Sequence, residues 1–195
     1  MISFDREREL IARGFSAVAG IDEAGRGPLA GPVAAACVIL DPANIPAGIN
    51  DSKKLSEKKR EALFDEICAS ARVSCVLVDE QTIDRINILE ATKRAMRAAA
   101  REVNPDFLLI DGNFTLHLIE HEQSVVGGDA LFLSIAAASI VAKVTRDRLM
   151  RELDARYPVY GFARHKGYGT KEHIENIRAY GPCPCHRVSF LRNIL

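Results

Sequence analysis

The sequence predicts one α/β domain over its 195 residues, on three observations. Two apolar runs, Ser16–Asp22 and Val33–Leu40, flank a glycine-rich loop and read as an antiparallel pair of strands. Phe107-Leu108-Leu109-Ile110 is a short unbroken apolar run, the pattern of a central strand covered on both faces. Segments with helical spacing alternate with the later strands, as α/β architecture requires. The length suits one domain with a substantial core.

The remaining elements follow in chain order. Asp41–Asn50 holds two prolines and a glycine and is a loop. Ser56 caps a helix reaching about Ala69, with Leu63, Phe64 and Ile67 on one face. Val73–Val78 reads as a strand. A long helix runs from Ile88 to Val103, with Ala91, Ala95, Met96 and Ala99 inward, and Asn104-Pro105 ends it. The alanine-rich run after Asp129 is too long for one strand and is a buried helix, continuing into amphipathic Val144–Ala155. A last helix spans about Thr170 to Tyr180. No internal repeat, low-complexity segment or linker interrupts the chain.

Composition narrows the function. At 48% apolar and 27% charged, the balance is that of an ordinary globular protein. Met1–Ile11 is charged and has no signal pattern, and the longest apolar stretch, Ala130–Ala142, is too short to span a bilayer. The expectation is a soluble, cytoplasmic protein with no membrane partner. Net charge is zero, but residues 143–195 hold eleven Lys or Arg against five acids. That basic C-terminal part beside an acid-rich body suits a phosphate-facing surface around an acidic site, or equally an ordinary solvated helix. Five cysteines without a secretion signal are expected as thiols. Cys183-Pro184-Cys185-His186 has the look of a metal cluster but not zinc-finger spacing, and no second ligand pair completes it.

The most informative stretch is Gly20–Pro32, Gly-Ile-Asp-Glu-Ala-Gly-Arg-Gly-Pro-Leu-Ala-Gly-Pro. Asp22 and Glu23 end an apolar run, and acids at a strand end are ligands for a hard cation such as Mg²⁺ or Mn²⁺. Gly25 and Gly27 permit close backbone approach to a phosphate-bearing ligand, and Arg26 supplies a permanently charged fork. The loop is not a Walker A loop and lacks dinucleotide-fingerprint spacing. Asp111 ends the central strand, and Asp129 follows Gly127-Gly128 at the start of the buried helix. Four acids on one rim of an α/β sheet would repel unless cations or protons neutralised them, which points to metal-assisted phosphodiester chemistry. Taken singly, each acid is explained as well by a turn or a helix start. Adjacent strand residues point to opposite faces, so Asp22 and Glu23 share a site only if the chain bends there.

Gly20–Val33, Asp51-Ser52-Lys53-Lys54-Leu55, Ile110–Asn113, Ser134–Arg148 and His165-Lys166-Gly167-Tyr168 together resemble ribonuclease HII, the type 2 ribonuclease H. They occur in that family's order and span almost the whole chain. The resemblance implies a ribonuclease H-like fold, a mixed sheet flanked by helices, formed by residues 1–195 as one catalytic domain. It implies an endonuclease that cuts the RNA strand of RNA–DNA hybrids. It also implies cleavage 5′ of a single ribonucleotide in duplex DNA, leaving 5′-phosphate and 3′-hydroxyl ends. By position, Asp22, Glu23, Asp111 and Asp129 would be catalytic and hold Mn²⁺ or Mg²⁺. Gly25, Arg26 and Gly27 would read the ribonucleotide 2′-hydroxyl, the group that tells RNA from DNA. Tyr168 would stack on the following deoxyribose, and Lys53, Lys143 and Lys166 would face the nucleic acid of a monomeric enzyme.

Two departures stand out. Gly127-Gly128-Asp129 replaces the family's common Lys-Gly-Asp, removing a positive charge unless Lys143 or Lys166 supplies it. The chain stops at Leu195, so the family's C-terminal helical extension is expected short or absent, with no clamp-binding tail after residue 190. Ribonuclease HIII fits less well, having an extra N-terminal domain and Thr where Arg26 stands. A broader ribonuclease H-fold nuclease and a non-catalytic binding domain are the rival readings; the latter predicts missing acids.

Overall fold

The structure is a computed structural model describing residues 2–195. Helix α1 (Asp5–Ala12) precedes strands β1 (Val18–Ala24) and β2 (Val33–Leu40). Then come α2 (Glu57–Ser70), β3 (Ala71–Val78), α3 (Glu80–Ile86), α4 (Ile88–Val103), β4 (Phe107–Asp111) and β5 (Glu122–Val125). The C-terminal part is helical, with α5 (Leu133–Arg156), the single turn α6 (Phe162–His165) and α7 (Lys171–Tyr180). The strands form one mixed sheet in the order β3-β2-β1-β4-β5. Strands β3, β2 and β1 are antiparallel, while β4 and β5 run parallel to β1.

Each face of the sheet has its own helical cover. Helix α4 lays Ala91, Ala95, Met96 and Ala99 against Ile21, Ala35, Leu108 and Ile110. On the opposite face α5 and α2 pack Ala136, Ala137, Ile140, Leu63 and Ile67 onto Ala34, Ala36 and Val38. Local signals set the ends of these helices. Ser56 Oγ accepts from Lys59 N at 3.3 Å to cap α2, and Asn104 adopts a left-handed conformation to end α4 before Pro105. Buried Glu7 of α1 accepts both the N–H and the hydroxyl of Ser134, at 2.8 and 2.7 Å, anchoring the start of α5.

The expected strands and long helices are present, with informative differences. Strand β1 runs on through Glu23 to Ala24, so its pairing with β2 carries the Asp-Glu pair inside the sheet. The short elements α1, α3 and β5 have no counterpart in the sequence reading. Asp129 lies in a tight turn, Gly128–Ala130, and α5 itself begins only at Leu133.

Helix α5 reaches β1 because Gly20 has no side chain. A Cβ there would sit 2.2 Å from both Ser134 C and Ile135 N, which are backbone atoms that cannot rotate away. Gly20→Ala is expected to destabilise the protein by about 1–3 kcal/mol or more, through overpacking. Urea unfolding monitored by circular dichroism measures this; an unchanged midpoint would show that α5 shifts off β1 without cost.

Candidate active site

The parallel register of β1 and β4 runs from Val18↔Phe107 to Ile21↔Ile110. Asp22 and Asp111 therefore follow the last paired positions, side by side at the rim of the sheet. A cleft of about 260 Å³ opens there, lined by Asp22, Glu23 and Asp111, by Gly25, Arg26 and Gly27, and by Lys53, Lys143 and Tyr168. Asp22 and Glu23, adjacent within β1, both line it. Asp129 is not a lining residue, but it is buried nearby, with Oδ2 3.5 Å from Lys53 Nζ.

The carboxylates strain one another electrostatically. Burial, then the charges of Glu23 and Asp111, push the Asp22 carboxyl well above the ordinary range. Burial also raises Glu23, against the opposing pull of Arg26, whose Nη1 lies 3.3 Å from Oε1. Asp111 is raised by burial and by Asp129, although its Oδ1 accepts Gly128 N–H at 2.7 Å. Glu23 Oε2 is buried with no hydrogen-bond partner among the described residues. An orphaned oxygen in an all-oxygen cluster that resists ionisation fits a hard divalent cation.

Beneath the loop lie two buried arginines, Arg146 and Arg187, where the charge balance of the sequence suggests surface cations. Arg187 donates from Nε to Gly31 O at 2.9 Å, from Nη1 to Arg26 O at 2.9 Å and from Nη2 to Gly25 O at 2.6 Å. Arg146 donates to the carbonyls of Pro32, Lys166 and Ala30 at 2.9, 3.0 and 3.0 Å. At Gly25, φ is +92° and a Cβ would lie 2.0 Å from Arg146 Nε, so only glycine fits. Every peptide bond here is trans, which sets each C=O opposite the next N–H. With the Gly25 and Arg26 carbonyls turned onto Arg187, the Arg26 and Gly27 amides point away from it. Nothing in the residue types separates a buried Arg from a solvated one; the only signal was the position of Arg146 on the helix that carries Ser139 and Lys143.

Within the basic C-terminal part, Arg146 and Arg187 are buried, Lys143, Arg148, Arg151 and Lys166 are half-buried, and the other five cations are exposed. Lys143 Nζ lies 2.6 Å from both Asp147 oxygens; burial lowers its pKa and Asp147 offsets this in part. Arg148 and Arg151 pair with Glu61, and Arg164 with Glu172. Lys166 is not brought into the cleft: its ammonium donates to the Ala163 carbonyl. Lys53 instead stands beside the acids; desolvation opposes its charge, but Asp129, Asp51 and Asp22 together raise its pKa. Tyr168 is 48% exposed at the mouth, its ring 3.7 Å from where a Gly27 Cβ would lie. Ser52 and Ser139, not singled out in the sequence, share a 2.7 Å hydrogen bond in the cleft wall.

Known proteins resemble this one over nearly the whole chain. The sequence profile of ribonuclease HII matches residues 19–193. The ribonuclease HII of Acetivibrio thermocellus is 59% identical over 97% of this chain and 75% of that protein. That of Caldicellulosiruptor bescii is 50% identical over 98% of this chain and 95% of its own. Ribonuclease H2 from Pyrococcus horikoshii superposes with a TM-score of 0.76 at 29% identity, covering 91% of this chain and 96% of that one. The ribonuclease HII solved in complex with PCNA from Archaeoglobus fulgidus gives a TM-score of 0.78 at 26% identity, covering 88% and 94%. At 19% identity, a Bst ribonuclease HIII solved with Mn²⁺ shows the shared fold, with a TM-score of 0.68 over 89% of this chain and 66% of that one. The chain belongs to the ribonuclease HII family of divalent-metal-dependent endonucleases, which cleave the RNA of RNA–DNA hybrids.

Proposed function

We propose that this endonuclease cuts 5′ of single ribonucleotides in duplex DNA as well as within longer hybrids, leaving 5′-phosphate and 3′-hydroxyl ends. Asp22, Glu23, Asp111 and Asp129 would hold Mg²⁺ or Mn²⁺. The observation that carries this reading is the orphaned, buried Glu23 Oε2 among acids whose pKa values are raised, in the cleft that also holds the glycine loop. A divalent cation bound there would supply water activation and charge stabilisation for an in-line phosphoryl displacement.

The protein groups supply position and selectivity. Amides of Arg26 and Gly27, turned away from Arg187, offer donors to a ribose 2′-hydroxyl, which DNA lacks. The exposed Tyr168 ring stacks on the deoxyribose beyond the junction. Lys53 takes the part of the cation missing at Gly127, since it lies beside Asp129. Lys143 contributes from the cleft wall. Residues 1–195 act as one catalytic domain in a monomer, and the enzyme works in the cytoplasm; among the described residues no helix is long and apolar enough to cross a membrane.

A duplex with one ribonucleotide, with an all-DNA duplex as control, tests the activity. Cleavage 5′ of the ribonucleotide is expected with Mg²⁺ or Mn²⁺ and not with EDTA, the control staying intact. Cutting of the control, or none in either metal by folded protein, would sink the reading. Asp22→Asn and Asp111→Asn are expected to slow cleavage about a hundredfold or more, equivalent to roughly 3 kcal/mol; wild-type rates would remove these acids from the chemistry.

The acid cluster also makes stability depend on pH and metal. A carboxyl whose folded pKa is raised binds its proton more tightly in the folded state. Its contribution to stability therefore falls as pH rises from the unfolded value of about 4 through the folded one. Mn²⁺ is thus expected to raise Tm more at pH 8 than at pH 5, at roughly 2–4 °C per kcal/mol for a chain of this size. Differential scanning fluorimetry reads this directly; equal shifts at both pH values would dissociate metal binding from these acids.

A further inference from the structure

The Cys183-Pro184-Cys185-His186 motif lies outside the acid cluster, and none of the roles proposed above uses it. Its three donor atoms lie within 4.8 Å of one another. Cys183 Sγ is 3.0 Å from Cys185 Sγ and 3.1 Å from His186 Nδ1. Two thiolates on a tetrahedral zinc, with Zn–S near 2.3 Å, stand about 3.8 Å apart. Small side-chain rotations therefore suffice to open the cluster around a cation. Cys185 and His186 are buried and Cys183 is half-buried, so the fourth position faces solvent.

A second observation comes from the hydrogen bonds behind the histidine. The Tyr168 carbonyl can only accept, so His173 Nδ1, 2.9 Å away, donates to it. Neutral His173 then accepts at Nε2 from His186 Nε2–H, at 3.0 Å. That leaves His186 Nδ1 as the bare nitrogen, on the side of the two sulfurs. A metal-bound histidine is usually fixed in this way, its second N–H donating to a neighbour that sets tautomer and ring angle. At present the Nδ1 lone pair receives the Cys183 N–H at 3.0 Å, a bond that a cation would replace.

We propose that Cys183, Cys185 and His186 bind Zn²⁺ in a three-ligand site whose fourth position is taken by solvent. Two soft thiolates and an imidazole select a thiophilic d¹⁰ ion over the hard cations that suit the carboxylates. Binding releases the two thiol protons to solvent. The site clasps the C-terminal segment where it supports the loop. Gly31 N donates to Cys185 O at 2.9 Å, Arg187 N donates to Leu29 O at 2.8 Å, and Arg187 reaches Gly25 and Arg26. The metal thus fixes the residue just before Arg187, and this holds whether or not the carboxylates act as proposed.

The test uses the full chain, reduced, freed of metal under argon and titrated with Co²⁺. About one equivalent is expected to give a thiolate-to-cobalt charge-transfer band with strong tetrahedral d–d bands, bleached by one equivalent of Zn²⁺ but not by excess Mg²⁺. Co²⁺ on carboxylates alone gives no thiolate band, so the two sites are distinguished without measuring activity. Cys183→Ser and Cys185→Ser should abolish the band, and Cys68→Ser, at an exposed thiol elsewhere, should keep it. Zn²⁺ should raise Tm in the wild type and lose that effect in the double serine variant. No charge-transfer band in the reduced wild type would overturn the proposal without recourse to any variant. So would a band that survives the double substitution in folded protein, or a Cys183–Cys185 disulfide whose reduction restores no metal affinity.

Discussion

Two guanidinium groups without carboxylate partners hold the cleft together. Arg146 and Arg187 are both essentially buried, and both are satisfied by backbone carbonyls alone. Burying a charge is costly unless hydrogen bonds replace its water, and the planar five-donor fork allows several carbonyls to share one charge. The carbonyls come from two stretches distant in sequence, residues 25–32 and Lys166 beside the Tyr168 turn, and Arg187 itself ties in the C-terminal segment. Removing either fork would leave several buried carbonyls unpaired, each costing about 1–3 kcal/mol. The loop is a rigid, preformed surface because the arginines leave its peptide planes one orientation.

The same arrangement explains how an acidic cluster persists a few residues away. Burial first, and then the neighbouring carboxylates, raise the cost of ionising Asp22, Glu23 and Asp111, Asp129 adding its charge at Asp111. The nearby positive groups are mostly committed elsewhere: Arg187 and Arg146 to carbonyls, Lys143 to Asp147, Lys166 to Ala163. Among the described residues, only Lys53 and Arg26 pair directly with the cluster. The protein thus keeps its acids under-neutralised, which favours a divalent cation. A better-paired cluster would be more stable and poorer at holding metal.

Much of this was legible in the sequence where local physics decides. Helix α4 has the bounds expected, because its apolar face is regular and Asn104-Pro105 is an unambiguous stop. The central strand and the buried run of α5 were equally plain. Asp22, Glu23 and Asp111 were readable as strand-end acids, and the structure brings them to one cleft. What escaped depends on long-range contacts. Strand β5 is short and polar, Glu-Gln-Ser-Val, and exists because it pairs with β4; its Glu122 gathers backbone N–H groups from residues 116–119. Helix α1 is placed by long-range contacts, buried Glu7 on Ser134 and Leu10 packed with Val18, Leu109 and Ile135. The burial of Arg146 and Arg187 could not be read from spacing, since eleven cations in the last segment differ only in what folds over them. Likewise, no second ligand pair joins the thiol–imidazole cluster among the described residues, as the sequence implies, but its hydrogen bond to His173, thirteen residues before His186, depends on the fold.

The proposed dependence of ribose recognition on these forks is best tested by binding, apart from catalysis. Arg187→Lys keeps the charge but cannot hold three carbonyls in a planar fork. Fluorescence anisotropy in EDTA, at fixed salt, compares affinity for a duplex with one ribonucleotide and for its all-DNA counterpart. The expected result is that the folded variant retains its all-DNA affinity and loses about tenfold of the preference for the ribonucleotide, roughly 1.4 kcal/mol. Full preference in a folded Arg187→Lys protein would contradict the role given to the buried arginine.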